Sequence, residues 1–195
     1  MAKIITVAMQ KGGVSKTTTS VYLATMLSKY GKVLLKDADP TGSSSFWVMD
    51  IENPPFEWEV ANTRTLGRTG DYDFVVIDTP TAGLDIFAKA ISVADFVIIP
   101  SGATGLDYHG ARATVDVVSS MNIEYRVLLA CVRKQTNAYK TIRQFFADDG
   151  IPCFTHAIPT KVAIAATLGQ IPKKKDEIED YELFFEEFWS LLNSR

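Results

Sequence analysis

The chain has 195 residues, a formal net charge of −3, 47% hydrophobic residues and 22% charged ones. This composition excludes a disordered tail and a collagen-like chain, and its length fits one α/β domain over residues 1–195 with a core that needs no staples. Cys131 and Cys153 are the only cysteines and have no CxxC spacing, which argues against a disulfide framework or zinc site and for a reducing cytoplasm. MAKIITVAMQ is broken too early by Lys11 to serve as a signal peptide, and no apolar run approaches the roughly 20 residues of a membrane span. The acidity is local. Residues 176–187 hold seven acids and no base, while the chain up to Lys175 holds 19 bases against 16 acids. The mildly basic body leaves polyanion binding open.

In chain order, Lys3–Met9 is expected as a buried strand, followed by a helix over Lys16–Tyr30 that ends at a left-handed Gly31. Lys32–Leu35 is a second strand. Residues 50–72 read as an irregular insert with one edge strand at Phe56–Val60. Asp73–Ile77 and Asp95–Ile99 are strands that run into Pro80 and Pro100, with a crossover helix over Leu84–Val93 between them. Helix Gly105–Met121, strand Glu124–Val132, helix Ala138–Asp148, short strand Ile151–His156 and helix Asp180–Leu192 complete the reading. Apolar strands without alternation, joined by helices, imply a doubly wound, mostly parallel sheet with helices on both faces. Ligands of such folds sit beyond the C-terminal ends of the strands.

The strongest motif stands at that place. Gln10-Lys11-Gly12-Gly13-Val14-Ser15-Lys16-Thr17-Thr18 joins the first strand to the first helix. Glycines there let successive N–H groups approach one anion, and the following helix N-terminus adds its dipole. Lys16 can neutralise β- and γ-phosphates, and the Thr17 hydroxyl suits Mg²⁺.

The loop lacks the first glycine of the common phosphate loop and carries a second lysine, Lys11. In this KGGxxK[ST] form the sequence resembles the ParA/MinD family of deviant Walker ATPases. Asp37-Ala38-Asp39-Pro40 looks like that family's DxDP motif, Phe74–Pro80 like its Walker B strand, Asp95–Pro100 like its next strand, and Ile158-Pro159 like its late IP motif. The resemblance implies a P-loop ATPase that binds ATP and Mg²⁺ and turns over slowly. Nucleotide contacts would come from Gly12, Gly13, Val14, Ser15, Lys16, Thr17 and Thr18. Asp39 would orient the attacking water, and Asp37 and Asp78 would stand on the magnesium side with Thr17. Lys11 would reach the partner's nucleotide across an ATP-dependent homodimer, which makes binding and dimerisation one linked equilibrium. Arg133 and Pro159 would lie near the base, where Arg133 either stacks on a purine or sits in solvent.

Three departures stand out. Ser15 replaces the usual glycine, Thr41 replaces the glutamine after DxDP, and Lys36 puts a charge in an apolar strand, read as an edge lysine snorkelling to water. The final helix opposes Leu183, Phe184, Phe185 and Phe188 with Glu182, Glu186 and Glu187, so docking on the sheet is expected and membrane binding is not. The chain opens on its first strand without a helix-turn-helix segment. Within the resemblance this points to small plasmid-type partition ATPases. These bind DNA nonspecifically and answer to a centromere-binding ParB-like adaptor, which would place the protein on the nucleoid. Lys161, Lys173, Lys174 and Lys175 are the DNA candidates, with Lys140 and Arg143 after them. Lys173–Lys175 equally could balance the acidic stretch behind them. The alternative function is a nucleotide switch that positions a protein cargo with little hydrolysis.

Overall fold

The computed structural model describes residues 2–194. Strands β1 (Lys3–Val7), β2 (Val33–Asp37), β3 (Glu57–Val60), β4 (Phe74–Asp78), β5 (Phe96–Ser101), β6 (Tyr125–Val132) and β7 (Ile158–Pro159) form a seven-stranded sheet in the order β3-β2-β4-β1-β5-β6-β7. Every pairing is parallel. The helices are α1 (Lys16–Leu27), α2 (Ser43–Met49), α3 (Leu84–Ser92), α4 (Gly105–Ser120), α5 (Asn137–Asp148), α6 (Val162–Ala165) and α7 (Lys175–Asn193). The expected doubly wound α/β architecture is what the chain adopts.

Strand pleating divides the core. Ile5, Val7, Leu35, Val76 and Ile98 face α1 and α7. Val97, Ile99, Val127 and Leu129 face α4 and α5 on the other side, and Leu34, Val75 and Ile77 pack with Ala90 of α3. β1 lies between β4 and β5, where the winding reverses, so its C-terminal end opens into the ligand crevice of such sheets. α7 docks as its apolar stripe requires. Tyr181 and Tyr22 of α1 lie with ring centroids 4.2 Å apart, and Phe188 meets Phe96 edge-on at 5.5 Å.

Several local readings change. α1 ends at Leu27 with a right-handed cap at Ser28, and Gly31 is not left-handed. Gly31 is small for another reason: a Cβ there would lie 2.6 Å from Asp73 Oδ2, the oxygen that accepts from Lys32 N at 2.8 Å. The edge strand expected at 56–60 forms as β3, which covers β2. Lys36 is therefore interior and fully buried rather than snorkelling. Its ammonium donates to Thr65 O at 2.5 Å and pairs with Glu59 at 3.1 Å, pinning the insert to the sheet. Residues 151–156 make only a single bridge, Val127 to Cys153, and the last strand is Ile158–Pro159. A bulge between Ala130 and Val132, with Cys131 at φ 56°, moves that pairing downstream.

Candidate functional site

The loop after β1 curls around a cavity of about 520 Å³ lined by Gly12, Gly13, Ser15, Lys16, Thr17 and Thr18. Asp39, Thr41, Ser43, Trp47, Thr81 and Leu168 close it from neighbouring segments. Two residues of the loop are left-handed, Gly13 at φ 75° and Ser15 at φ 68°. Glycine adopts that conformation freely. Ser15 pays for it with steric strain of roughly 1 kcal/mol. The helix beginning at Lys16 then presents its first amides to the cavity without a side-chain cap.

Lys16 is almost wholly buried, and its ammonium donates to Lys11 O at 2.8 Å. Burial pulls its pKa below the ordinary lysine value, while Asp78 and Asp39 pull the other way. The Thr17 hydroxyl donates to Asp78 Oδ2 at 2.8 Å, and Ser20 Oγ lies 3.2 Å from Asp78 Oδ1. Asp78 is buried at the end of β4, in register with Asp37. Its carboxyl is pushed up to about 7, first by desolvation, although the Thr17 hydrogen bond opposes this, and then by the Asp37 charge. Such a buried, under-neutralised carboxylate beside a threonine hydroxyl fits a hard divalent cation held through oxygen.

The two acids of the DxDP segment part company. Asp39 reaches the cavity, where its Oδ1 accepts from Thr41 N at 2.9 Å and from Thr41 Oγ1 at 2.8 Å. Asp37 turns into the start of α2 instead. Its Oδ2 accepts from Ser45 N at 2.8 Å and Ser45 Oγ at 2.6 Å, and its Oδ1 accepts from Asp39 N at 3.1 Å. Asp37 therefore shapes the Asp39 turn from behind.

Lys11 points away from the cavity. Its ammonium is hydrogen-bonded and ion-paired to Asp107 Oδ1, in the first turn of α4. Asp107 Oδ2 also accepts from Thr104 Oγ1 at 2.6 Å and Thr104 N at 3.0 Å, closing a capping box. Burial raises the Asp107 pKa, but the hydrogen bonds from Lys11 and Thr104 prevail and hold it below the usual carboxylate range. Sequence reasoning missed this partner, which lies 96 residues away.

Arg133 and Pro159 line two different cavities that share Cys131 and Thr160. Arg133 lines a cavity with Gly13, Val14, Asp107 and Thr160. Pro159 lines a smaller one, of about 140 Å³, with Ser15, Thr18, Thr160, Lys161 and Tyr181. The lysine candidates fall into two groups. Lys161 is bound to Glu179 at 2.8 Å and Asp180 at 2.5 Å, and Lys174 pairs with Glu177 at 3.1 Å. Lys173 and Lys175 have exposed side chains at the mouth of α7. Arg143 is committed to Phe154 O and Thr155 O at 3.4 and 3.1 Å. Among the described residues no helix is long and apolar enough to cross a membrane.

The sequence and the fold both resemble those of known proteins. The chain is 36% identical over 166 residues to the maintenance of carboxysome distribution protein A of Gloeobacter kilaueensis, covering 78% of this chain and 74% of that one. It is 36% identical over 128 residues to the sporulation initiation inhibitor protein Soj of Bacillus subtilis, covering 65% of this chain and 43% of Soj. The fold superposes with a TM-score of 0.82 on a putative plasmid partition protein from Borrelia burgdorferi bound to AMPPNP, at 24% identity over 98% of this chain and 100% of that one. Residues 5–172 match the family described as the CobQ/CobB/MinD/ParA nucleotide binding domain, and the chain belongs to that family.

Proposed function

We propose that the chain is a ParA-like ATPase: ATP with Mg²⁺ drives a homodimer, the dimer binds DNA without regard to sequence, and a ParB-like adaptor stimulates slow hydrolysis to segregate DNA. The observation that carries the chemistry is that Lys16, Thr17 and Asp39 share one cavity. In this reading the ammonium of Lys16 leaves Lys11 O for the β- and γ-phosphates. The amides of Gly12, Gly13, Val14 and Ser15 hold the phosphate oxygens, and Thr17 and Asp78 hold magnesium. A cation held by Thr17 and Asp78 would neutralise charge developing on the γ-phosphoryl oxygens. Asp39, fixed by Thr41, orients the attacking water.

Dimerisation through the loop face has its own support. Phe46, Leu84, Leu106, Val162 and Leu168 are large, apolar and mostly exposed. All lie in helices or turns that follow the C-terminal ends of strands, and Leu168 lines the cavity itself. An apolar rim around a charged site suits a partner copy.

Asp39→Ala tests the reading. It should keep ATP binding and ATP-dependent dimerisation, because Lys16 and Thr17 remain, while hydrolysis falls by about 10²-fold or more. Ultracentrifugation and phosphate release measure the two. Lost nucleotide binding with unchanged residual turnover would remove Asp39 from this role.

For DNA, the pairing of Lys161 and Lys174 within the chain leaves Lys173 and Lys175 as the stronger candidates. A dimer doubles them, and two weak sites on one polymer gain by effective concentration. Replacing Lys173, Lys174 and Lys175 by alanine should lower the log–log salt slope of ATP-dependent DNA binding by roughly 0.9 per lost phosphate contact. An unchanged slope moves the DNA face to Lys140.

A second reading, cargo positioning, is favoured by the 36% identity to a carboxysome distribution protein. Turnover that neither DNA nor an adaptor raises would favour it over segregation.

A further inference from the structure

The acids of α7 do more than face water. Asp180 is mostly buried, and its two oxygens divide between two loops: Oδ1 lies 3.3 Å from Lys134 Nζ and Oδ2 lies 2.5 Å from Lys161 Nζ. Lys134 belongs to the turn after β6, next to Arg133. Lys161 belongs to the turn after β7, next to Thr160. A backbone bond from Thr160 N to Val132 O, 2.9 Å long, joins the same turns. Glu179 adds a second carboxylate to Lys161 at 2.8 Å.

The Lys161 turn walls the 140 Å³ cavity beside Ser15 and Thr18, while the Lys134 turn, through Arg133, walls the neighbouring cavity that shares Cys131 and Thr160 with it. Phosphates held at the loop put the base of the same nucleotide in reach of it. The next residue of α7, Tyr181, forms part of that wall, and its hydroxyl lies 3.1 Å from Thr19 Oγ1 in α1. Residues 180 and 181 thus connect α7 to both base-side turns and to the helix that carries the phosphate amides.

We propose that Asp180 is a positioning residue for the base end of the nucleotide site: it clamps the turns at Lys134 and Lys161 at base distance, so that α7 docking and base binding are coupled. This rests on the nucleotide reading above. The carboxylates of Asp180 first and then Glu179 raise the Lys161 pKa above the ordinary lysine value, which keeps the ion pairs of the clamp in place. Coupling is reciprocal, so a bound base should also protect α7 from opening.

The test separates base from phosphate. Wild type and Asp180→Asn are titrated with ATP, ADP and inorganic tripolyphosphate, which has no base. The expected result is that Asp180→Asn binds ATP and ADP about tenfold more weakly, within the usual range of such couplings, and binds tripolyphosphate as wild type does. Asp180→Glu, which keeps the charge, should recover part of the loss. Lys134→Ala, which removes one exposed arm of the clamp, should show the same selective loss to a smaller degree and remains informative if Asp180→Asn does not fold. Hydrogen exchange should show ATP slowing the amides of α7 in wild type, and tripolyphosphate not doing so. Equal weakening of ATP and tripolyphosphate, or an undiminished preference for ATP in both variants, overturns the clamp. If wild type binds ATP no more tightly than tripolyphosphate, it is the base-cavity reading that fails.

Discussion

Lys11→Ala should bind ATP but remain a monomer with it, and its stimulated turnover should fall by about 10³-fold, the lower range for a charge supplied across an interface to a phosphoryl group. In the monomer the Lys11 ammonium is held by Asp107, so it is unavailable to any second subunit until that pair opens. The exchange must be driven by a stronger anion. In the proposed dimer the γ-phosphate of ATP would supply one on the partner's site, and ADP would not. An ion pair that is lost and replaced costs little overall, whereas a lysine leaving Asp107 for solvent gains nothing. Sedimentation with Mg-ATP and Mg-ADP would therefore show a nucleotide-specific dimer for wild type and monomer under both for Lys11→Ala. Dimerisation by the variant equal to wild type would remove Lys11 from the interface. Phosphate binding should persist in either case, because Lys16 and the loop amides are intact.

The parts of the site legible in the sequence were those encoded within a few residues. The β1–loop–α1 unit announces itself by an apolar run, two adjacent glycines and a lysine at the helix start. The strand ends at Asp37 and Asp78 follow from apolar runs stopped by acids. What stayed hidden depends on long-range packing. α2 begins with Ser43-Ser44-Ser45, for which the sequence reading assigns no element. It becomes helical with Asp37, brought from β2, accepting the Ser45 amide. Lys36 reads as an edge residue until β3 is known to pair outside β2. The pairing of Lys11 with Asp107 spans four strands and three helices of chain, and no local pattern specifies it. The displaced last strand follows from one left-handed residue, Cys131, whose conformation has no sequence signature because it is not glycine.

Asp78→Asn should raise the stability of the nucleotide-free protein at pH 8 while abolishing magnesium-dependent hydrolysis. The carboxyl of Asp78 sits at about 7 in the fold against 3.8 in a free chain. A folded-state pKa above the unfolded one means that the native state holds the extra proton in this interval. Stability therefore falls as pH rises from about 4 to 7 and is flat beyond both limits. At pH 8 the buried charge opposes folding by an amount on the order of 4 kcal/mol, which a neutral amide of the same shape would not impose. Thermal melts at pH 5 and pH 8 should thus show wild type losing stability over the interval and Asp78→Asn losing less. Magnesium with nucleotide should restore the wild type at pH 8, because a cation at Thr17 and Asp78 compensates the charge, and should leave the variant's melting temperature nearly where nucleotide alone puts it. Parallel pH profiles for the two proteins would mean that Asp78 is solvated in the resting state. A magnesium effect of equal size in both would place the cation elsewhere. If both expectations hold, the protein carries a destabilising charge at the end of β4 that only the loaded site relieves, and the strained Ser15 at the loop is the second place where local stability has given way to nucleotide geometry.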